Sequence, residues 1–459
     1  MVNDTICALA TAPGGALGII RVSGPHAFDA VSSLCQLSFD YIKAPSIHYT
    51  HIVAPISPDA VSSNQAIIDE VLLSVFRTPH SYTGEDSVEI SCHGSVYILN
   101  KVLELLIQHG CRMAQPGEFT QRAFLNGKMD LSQAEAVADL IASTNKATHN
   151  LAMSQLRGHF SSALAQLRDK LLKLTSLLEL ELDFSDHEDL EFADRTELKS
   201  LAHTIDDHIT RLVNSFRTGQ ALKRGIPVAI VGKTNVGKST LLNQLIDDDR
   251  AIVSDIHGTT RDSIEEVMEI NGVQFRFIDT AGLRNTQDEV EQIGIQRTIQ
   301  KIKQASIVIW LLDAPPTREE SKTMHELLEG KNHLFVHNKV DQLDKDSFVP
   351  YLQPLFLISA KTGEGIQHLK QHIFEEAQRA GLISNAIDII VTNARHYESL
   401  CLAQSSLNRV IEGLSTDLPG DLIAEDLRLV LSHLGEITGG AITSQETLHN
   451  IFKNFCVGK

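Results

Sequence analysis

VAIVGKTNVGKST, residues 228–240, is the stretch on which the fold turns. Val228 to Val231 is an apolar run with no polar interruption, the mark of a strand buried on both faces. It passes directly into Gly232-Lys-Thr-Asn-Val-Gly237-Lys238-Ser239, a complete G-x-x-x-x-G-K-S that opens a helical pattern. Glycines at its two ends let backbone N–H groups close around phosphate oxygens at a helix N-terminus. Lys238 reaches the β and γ phosphates, and the Ser239 hydroxyl suits magnesium.

Outward from this loop, FRFIDT (275–280), SIVIWLLD (306–313), HLFVHNK (333–339) and LFLISA (355–360) alternate with helical segments, which predicts a doubly wound sheet. Asn271-Gly272 is a two-residue hairpin signal, so one strand pair should be antiparallel. Asp279-Thr-Ala-Gly282 ends one strand: the Asp can hold magnesium at one remove, and the Gly282 N–H can sense the γ phosphate. Asn338-Lys-Val-Asp341 ends another, and a carboxylate there can accept from guanine N1–H and its amino group, which adenine does not offer. Ser359-Ala-Lys361 supplies a loop under the base.

On either side the character changes. Residues 1–125 alternate short apolar runs (TICALATA, LGIIRVSG, EVLLSVF, SVEISCHG) with turns and a helical stretch near Val96–Gln108, the pattern of an α+β domain. From Leu131 helices dominate. Ser132 and Glu135 read as a capping box, and Leu164, Leu167, Leu171, Leu174 and Leu178 share one face. The acidic stretch from Glu179 reads as a solvated loop. Leu400, Ala403, Leu407, Val410 and Leu414 repeat the three-four spacing, and Leu448, Ile451, Phe452 and Phe455 share a face near the C-terminus. Each helical block has an apolar stripe that the other can cover, so the expected division is an α+β domain (1–125), a discontinuous all-α domain (126–220 and 381–459), and an inserted α/β P-loop domain (221–380).

The chain has 459 residues, a formal charge of -18, and six cysteines with no C-x-x-C pair. Such a charge argues against a chain-wide electrostatic footprint for nucleic acid, and the cysteine spacing suggests neither a zinc site nor a disulfide framework. No apolar run reaches 18 residues and the N-terminus lacks a secretory pattern, so a cytoplasmic protein without a membrane span is expected.

The four nucleotide motifs resemble those of the Ras-like GTPases. Gly258-Thr-Thr-Arg-Asp262 narrows the resemblance to bacterial GTPases that act on RNA. GIIRVSG (18–24), YTGEDSVEISCHG (82–94), PGEFTQRAFLNGKMDLSQAEA (116–136), AGLRNTQDEVEQIGI (281–295) and the terminal FCVGK look like the MnmE (TrmE) family of tRNA modification GTPases, over essentially the whole chain. The resemblance implies a Ras-like G domain and a folate-binding-like N-terminal domain. It implies GTP binding by Asn235, Val236, Gly237, Lys238, Ser239 and Thr240; by Ser254, Asp255, Ile256, His257, Gly258, Thr259 and Thr260; by Asp279, Thr280, Ala281 and Gly282; and by Asn338, Lys339, Val340, Asp341, Ser359, Ala360 and Lys361. Magnesium would be held by Ser239 and Thr260. A potassium ion, held by the Asn235 side chain and the carbonyls of Ser254, Ile256 and Thr259, would stand in for an arginine finger.

Leu283 occupies the place where Ras-like proteins carry the glutamine that orients water, and the family uses a later Glu, matched here by Glu291, with Glu289 two residues away. Arg21, Glu89, Lys128 and Lys459 match the family's positions for formyl-tetrahydrofolate, its one-carbon donor. The family acts as a homodimer, joined in a heterotetramer by the FAD-containing partner MnmG (GidA), and adds a carboxymethylaminomethyl or aminomethyl group to carbon 5 of the wobble uridine of certain tRNAs. The alternative is a GTP-regulated ribosome-assembly switch without nucleotide-modifying chemistry. Cys456, in the terminal Cys-x-Gly-Lys, reads on its own as a frayed thiol. By the resemblance it is a catalytic candidate beside Lys238 and Glu291.

Overall fold

The computed structural model describes residues 4–35, 37–54, 66–183, 195–247, 266–278, 291–343, 352, 354–383, 389–416, 418–440, 445–453 and 455–458. In chain order they begin with β1 (Thr5–Leu9), β2 (Leu17–Ser23), α1 (Ala27–Cys35), β3 (Ser46–Val53), β4 (Ile67–Phe76), β5 (Ser87–His93), α2 (Val96–Gln108) and β6 (Cys111–Met113). Helices α3 (Glu118–Leu125), α4 (Leu131–Ile141), α5 (Lys146–Leu156), α6 (His159–Asp183) and α7 (Arg195–Arg224) follow. Then come β7 (Ile226–Val231), α8 (Lys238–Asp247), β8 (Glu266–Ile270), β9 (Val273–Phe277), α9 (Glu291–Gln304), β10 (Ile307–Leu312), α10 (Arg318–Leu328), β11 (Asn332–His337) and β12 (Leu355–Leu357). The chain closes with α11 (Ile366–Arg379), α12 (Ala394–Ser415), α13 (Gly420–Thr438) and α14 (Gln445–Phe452).

These elements make two units, one of Met1–Ala142, Met153–Arg168 and Leu431–Lys459, the other of Ser143–Ala152 and Asp169–Val430. The helical segments on both sides of the insert therefore contribute to both units.

In the first unit the sheet runs β3-β4-β5-β2-β1-β6, with only β1 and β6 parallel. Alternation decides its faces. Ile20, Val22, Val88, Ile90, Val71 and Leu73 pack with Val31 and Leu34 of α1 and Leu99, Val102 and Leu105 of α2. On the opposite face Ile6 and Ala8 of β1 meet Phe119 of α3. Residues Leu131 and Ala134 of α4 pack with Leu448 and Phe452 of α14, so the apolar face expected near the C-terminus is buried.

The N-cap of α4 lies two residues earlier than Ser132. Asp130 accepts from the Gln133 N–H at 2.9 Å, and the Gln133 side chain accepts from the Asp130 N–H at 2.9 Å. The Ser132 hydroxyl instead donates to Asp130 at 2.8 Å, so the carboxylate takes the cap that the sequence pattern gave to serine.

In the second unit the sheet order is β12-β11-β10-β7-β9-β8, parallel except for the β8–β9 hairpin. That hairpin turns at Asn271 and Gly272, both with positive φ, as the Asn-Gly signal requires. Leu241 and Leu245 of α8 and Leu369 and Ile373 of α11 cover one face of the sheet. Ile302 of α9 and Leu328 of α10 cover the other, which is the expected doubly wound arrangement. Beside it α7 packs along α12, where Gln404 donates to the Thr210 hydroxyl at 2.6 Å and Phe216 stacks on Tyr397 with ring centroids 4.2 Å apart. Leu400, Ala403, Leu407, Val410 and Leu414 are all fully buried. Among the described residues no helix is long and apolar enough to cross a membrane.

Candidate functional site

Strand β7 delivers the chain into a loop that closes at the first turn of α8. Asn235, at the tip, has φ 62 and is exposed, while Val236 is buried against the sheet core. The Lys238 ammonium donates to the carbonyls of Gly232 at 2.8 Å and Lys233 at 2.5 Å, so it lies across the loop it belongs to. Burial, and then repulsion from Lys301 of α9, hold its pKa below the ordinary lysine value. Ser239 follows, half-buried, and Thr240 is exposed. The half-buried Ser239 hydroxyl, beside a lysine on a helix N-terminus, is a donor set that fits a magnesium-bound triphosphate.

Asn338 ties this loop to the Ser359–Lys361 loop. Its Nδ2 donates to the Val236 carbonyl at 2.8 Å, and its Oδ1 accepts from the Ala360 N–H at 2.9 Å. The residue is buried, and a Cβ on Gly237 would overlap its amide nitrogen, so glycine is needed for that approach. Lys339, with φ 64, donates to Asp313 at 2.6 Å. Ser359 donates to Asp341 Oδ1 at 2.6 Å and accepts from the Thr362 N–H at 3.2 Å, which fixes one edge of the carboxylate. Val340 is buried and Lys361 exposed. Structure thus brings together Asn235 to Thr240, Asn338 to Asp341 and Ser359 to Lys361.

Ser254, Asp255, Ile256, His257, Gly258, Thr259, Thr260, Asp279, Thr280, Ala281, Gly282 and Lys459 lie outside the described residues. Glu291 is the first residue of α9, but its side chain also lies outside them.

A second constellation stands in the first unit. Strand register sets Arg21 directly opposite Glu89, and Nε and Nη2 of Arg21 donate to Glu89 Oε1 at 2.9 and 2.7 Å. Nη1 donates to the Gly458 carbonyl at 3.2 Å. The guanidinium lies 5.3 Å from the centre of the Tyr82 ring and 5.6 Å from that of Phe119. The Tyr82 hydroxyl is hydrogen-bonded to Thr120 at 2.9 Å, which fixes the ring. Lys128 donates to the carbonyl of Pro79, in the loop that carries Tyr82, at 2.8 Å. Cys456 is exposed, and its carbonyl accepts from the Gly117 N–H at 3.2 Å.

Sequence reasoning did not find Asp313, Tyr82, Phe119 or Gly458. Tyr82 and Phe119 sit inside quoted motifs, but only their approach to Arg21 in space gives them a role.

A family model described as the MnmE helical domain matches residues 131–456, and one described as the GTP-binding protein TrmE N-terminus matches residues 5–128. The tRNA modification GTPase MnmE of Phocaeicola vulgatus is 51% identical over 500 residues, covering 100% of both chains. This chain belongs to the MnmE (TrmE) family. Its MnmE relative from Bacteroides thetaiotaomicron is 51% identical over 474 residues with 100% of both chains covered, and that from Parabacteroides distasonis is 51% identical over 467 residues, covering 99% of this chain and 100% of its own. Among solved structures the G domain of the T. maritima FeoB iron transporter aligns at 26% identity over 33% of this chain and 99% of its own, at a TM-score of 0.25, too low to bear on the fold.

Proposed function

We propose that this MnmE-family chain is a GTP hydrolase whose nucleotide cycle serves modification of the wobble uridine of tRNA. The hydrolase half is carried by one observation: a buried Asn338 holds the phosphate loop and the Ser359–Lys361 loop together while Ser359 fixes Asp341. A carboxylate held in that way can accept two hydrogen bonds from guanine, and selection follows because an adenine would leave it unpaired. Kinship with full-length relatives named tRNA modification GTPase MnmE supports the tRNA half.

In this reading Lys238 and Ser239 hold the triphosphate and its magnesium, with Thr260 as the second side-chain ligand. Asn235 and the carbonyls of Ser254, Ile256 and Thr259 hold potassium, whose charge would offset that developing between the phosphates, work for which an arginine finger supplies roughly 10³ to 10⁵ in rate. An exposed amide at the loop tip suits that ligand role. Glu291 orients the attacking water where Leu283 cannot. Arg21, Glu89, Lys128 and Lys459 receive formyl-tetrahydrofolate: an Arg21–Glu89 ion pair whose guanidinium also approaches the rings of Tyr82 and Phe119 matches a ligand with a flat amidine edge and carboxylates. The chain works in the cytoplasm as a homodimer with an FAD-containing partner, a division of labour that fits a charge of -18. The test is GTP turnover with potassium or sodium as the only monovalent cation. Turnover should fall at least tenfold in sodium, and equal rates would refute the role of Asn235.

A further inference from the structure

The last four described residues do more than end the chain. Gly458 is buried, with φ 89, and a Cβ built on it would overlap the Leu9 carbonyl oxygen at the end of β1 and approach Ala10 Cα at 3.0 Å. An L side chain cannot enter this position without moving either the tail or β1. Two residues earlier the Cys456 carbonyl takes the Gly117 N–H at 3.2 Å, at the N-cap of α3. Upstream of these contacts Phe452 is buried in the α4–α14 cluster, with Phe455 packed against it. The segment is thus held at three successive points by three parts of the N-terminal region: α4, the N-cap of α3, and the end of β1.

The third point carries the consequence. With Gly458 seated on β1, its carbonyl oxygen accepts from Arg21 Nη1 at 3.2 Å, while Nε and Nη2 of the same guanidinium go to Glu89. Tyr82 and Phe119 flank it. Arg21 has three rotatable side-chain bonds beyond χ1, and an ion pair to one carboxylate oxygen alone leaves the plane of the guanidinium free to turn about that contact. A second acceptor on Nη1 removes that freedom, and the two rings limit tilt. Glu89 is more than a quarter exposed, so its pair with Arg21 is open to screening and needs that support.

We propose that the C-terminal tail is a strap, with Gly458 as a positioning residue that orients Arg21 through its backbone carbonyl. Gly458 would then set the orientation of Arg21 within the reduced-folate site. This inference rests on the reading of Arg21 as a folate ligand only for its consequence in binding, since the strap itself is defined by contacts within the protein.

The full-length protein is tested in a Cys401→Ser background, with a nitroxide spin label on the exposed Cys456 and with 5-formyl-tetrahydrofolate affinity measured separately on unlabelled protein. Gly458→Ala and Arg21→Ala should each free the label, seen as narrowed spectral lines, with the thermal stability of the protein unchanged in Gly458→Ala. Gly458→Ala should weaken folate binding about tenfold, the scale of one charge-assisted hydrogen bond. The double variant should bind no more weakly than Arg21→Ala alone, because both act through one guanidinium. Fully additive losses would mean that Gly458 acts through Lys459 instead and would overturn the proposal, as would a label unmoved by Arg21→Ala. Wild-type folate affinity in Arg21→Ala would refute the folate reading, and the label alone would then decide the strap.

Discussion

Asn338 gives an N–H to Val236 and takes the Ala360 N–H on its oxygen, so one buried amide sets the spacing between the 232–239 loop and the Ser359–Lys361 loop. Asp341 works at the other end of that spacing. Asp341→Asn replaces a carboxylate that accepts twice with an amide that must donate once, which suits the carbonyl of xanthine better than the amino group of guanine. Steady-state kinetics should show kcat/KM for GTP falling about 100-fold or more and turnover recovered with XTP, in line with the cost of leaving a designed hydrogen bond unpaired. Lys238 makes a second test at this scale. Its pKa is lowered by burial and by Lys301, so above that lowered value GTP must bring a proton with it and affinity falls as pH rises. Lys301→Ala removes the repulsion, and a titration of GTP affinity from pH 7 to 10 should show the decline displaced to higher pH relative to the wild type. Coincident curves would separate Lys301 from the phosphate loop.

At the scale of elements, α3, the loop before β5 and the residue preceding β1 are joined by one buried cation. Arg122 donates to Asp4 at 2.7 Å, to Glu118 at 3.1 Å and to Glu85 at 3.3 Å, with only 4% of its side chain exposed. Burial pushes the Glu118 carboxyl up, but hydrogen bonds from Arg112, Gln115 and Arg122 outweigh it and leave its pKa below the ordinary glutamate value. A lowered folded pKa means that the unfolded chain binds more protons between the folded value and the ordinary glutamate value, so this stabilisation is present at neutral pH and lost as pH falls through the folded pKa. Arg122→Met should therefore lower stability by about 3 kcal/mol at pH 7. The deficit should shrink toward pH 3, read as the gap between the two melting temperatures; a gap independent of pH would assign the loss to packing alone.

Elements of this kind differ in how far the sequence exposes them. Strands β7 and β10 are legible because burial on both faces leaves them uninterrupted apolar runs, and the β8–β9 turn because Asn271-Gly272 is chemically specific. By contrast β3, SIHYTHIV, was not foreseen: its alternate positions carry Ile47 and Tyr49 outward, both well exposed, so no one-sided apolar signal separates it from a loop. The cap of α4 was displaced because Asp130 and Ser132 are both good caps and only geometry chooses between them. The phosphate loop and the guanine motif were readable as local patterns. The cage around Arg21 was not, since Tyr82, Phe119 and Gly458 are 61, 98 and 437 positions from it, and only folding makes them neighbours.

For the whole molecule, the nucleotide site lies within one unit and the Arg21 site within the other, and the chain passes between them through helical segments on both sides of the insert. A protein that hydrolyses GTP in one unit to serve chemistry in the other must lose both outputs when the phosphate loop is disabled, although the Arg21 cage is left intact. Lys238→Ala removes the ammonium from that loop without touching the first unit. The most direct measurement is nucleoside mass spectrometry of tRNA from cells lacking this protein, complemented with the wild type or with Lys238→Ala. The account predicts that carbon-5 aminomethyl-type wobble uridines disappear in the deletion, return with the wild type, and do not return with Lys238→Ala. A wobble-uridine profile unchanged by the deletion would contradict it.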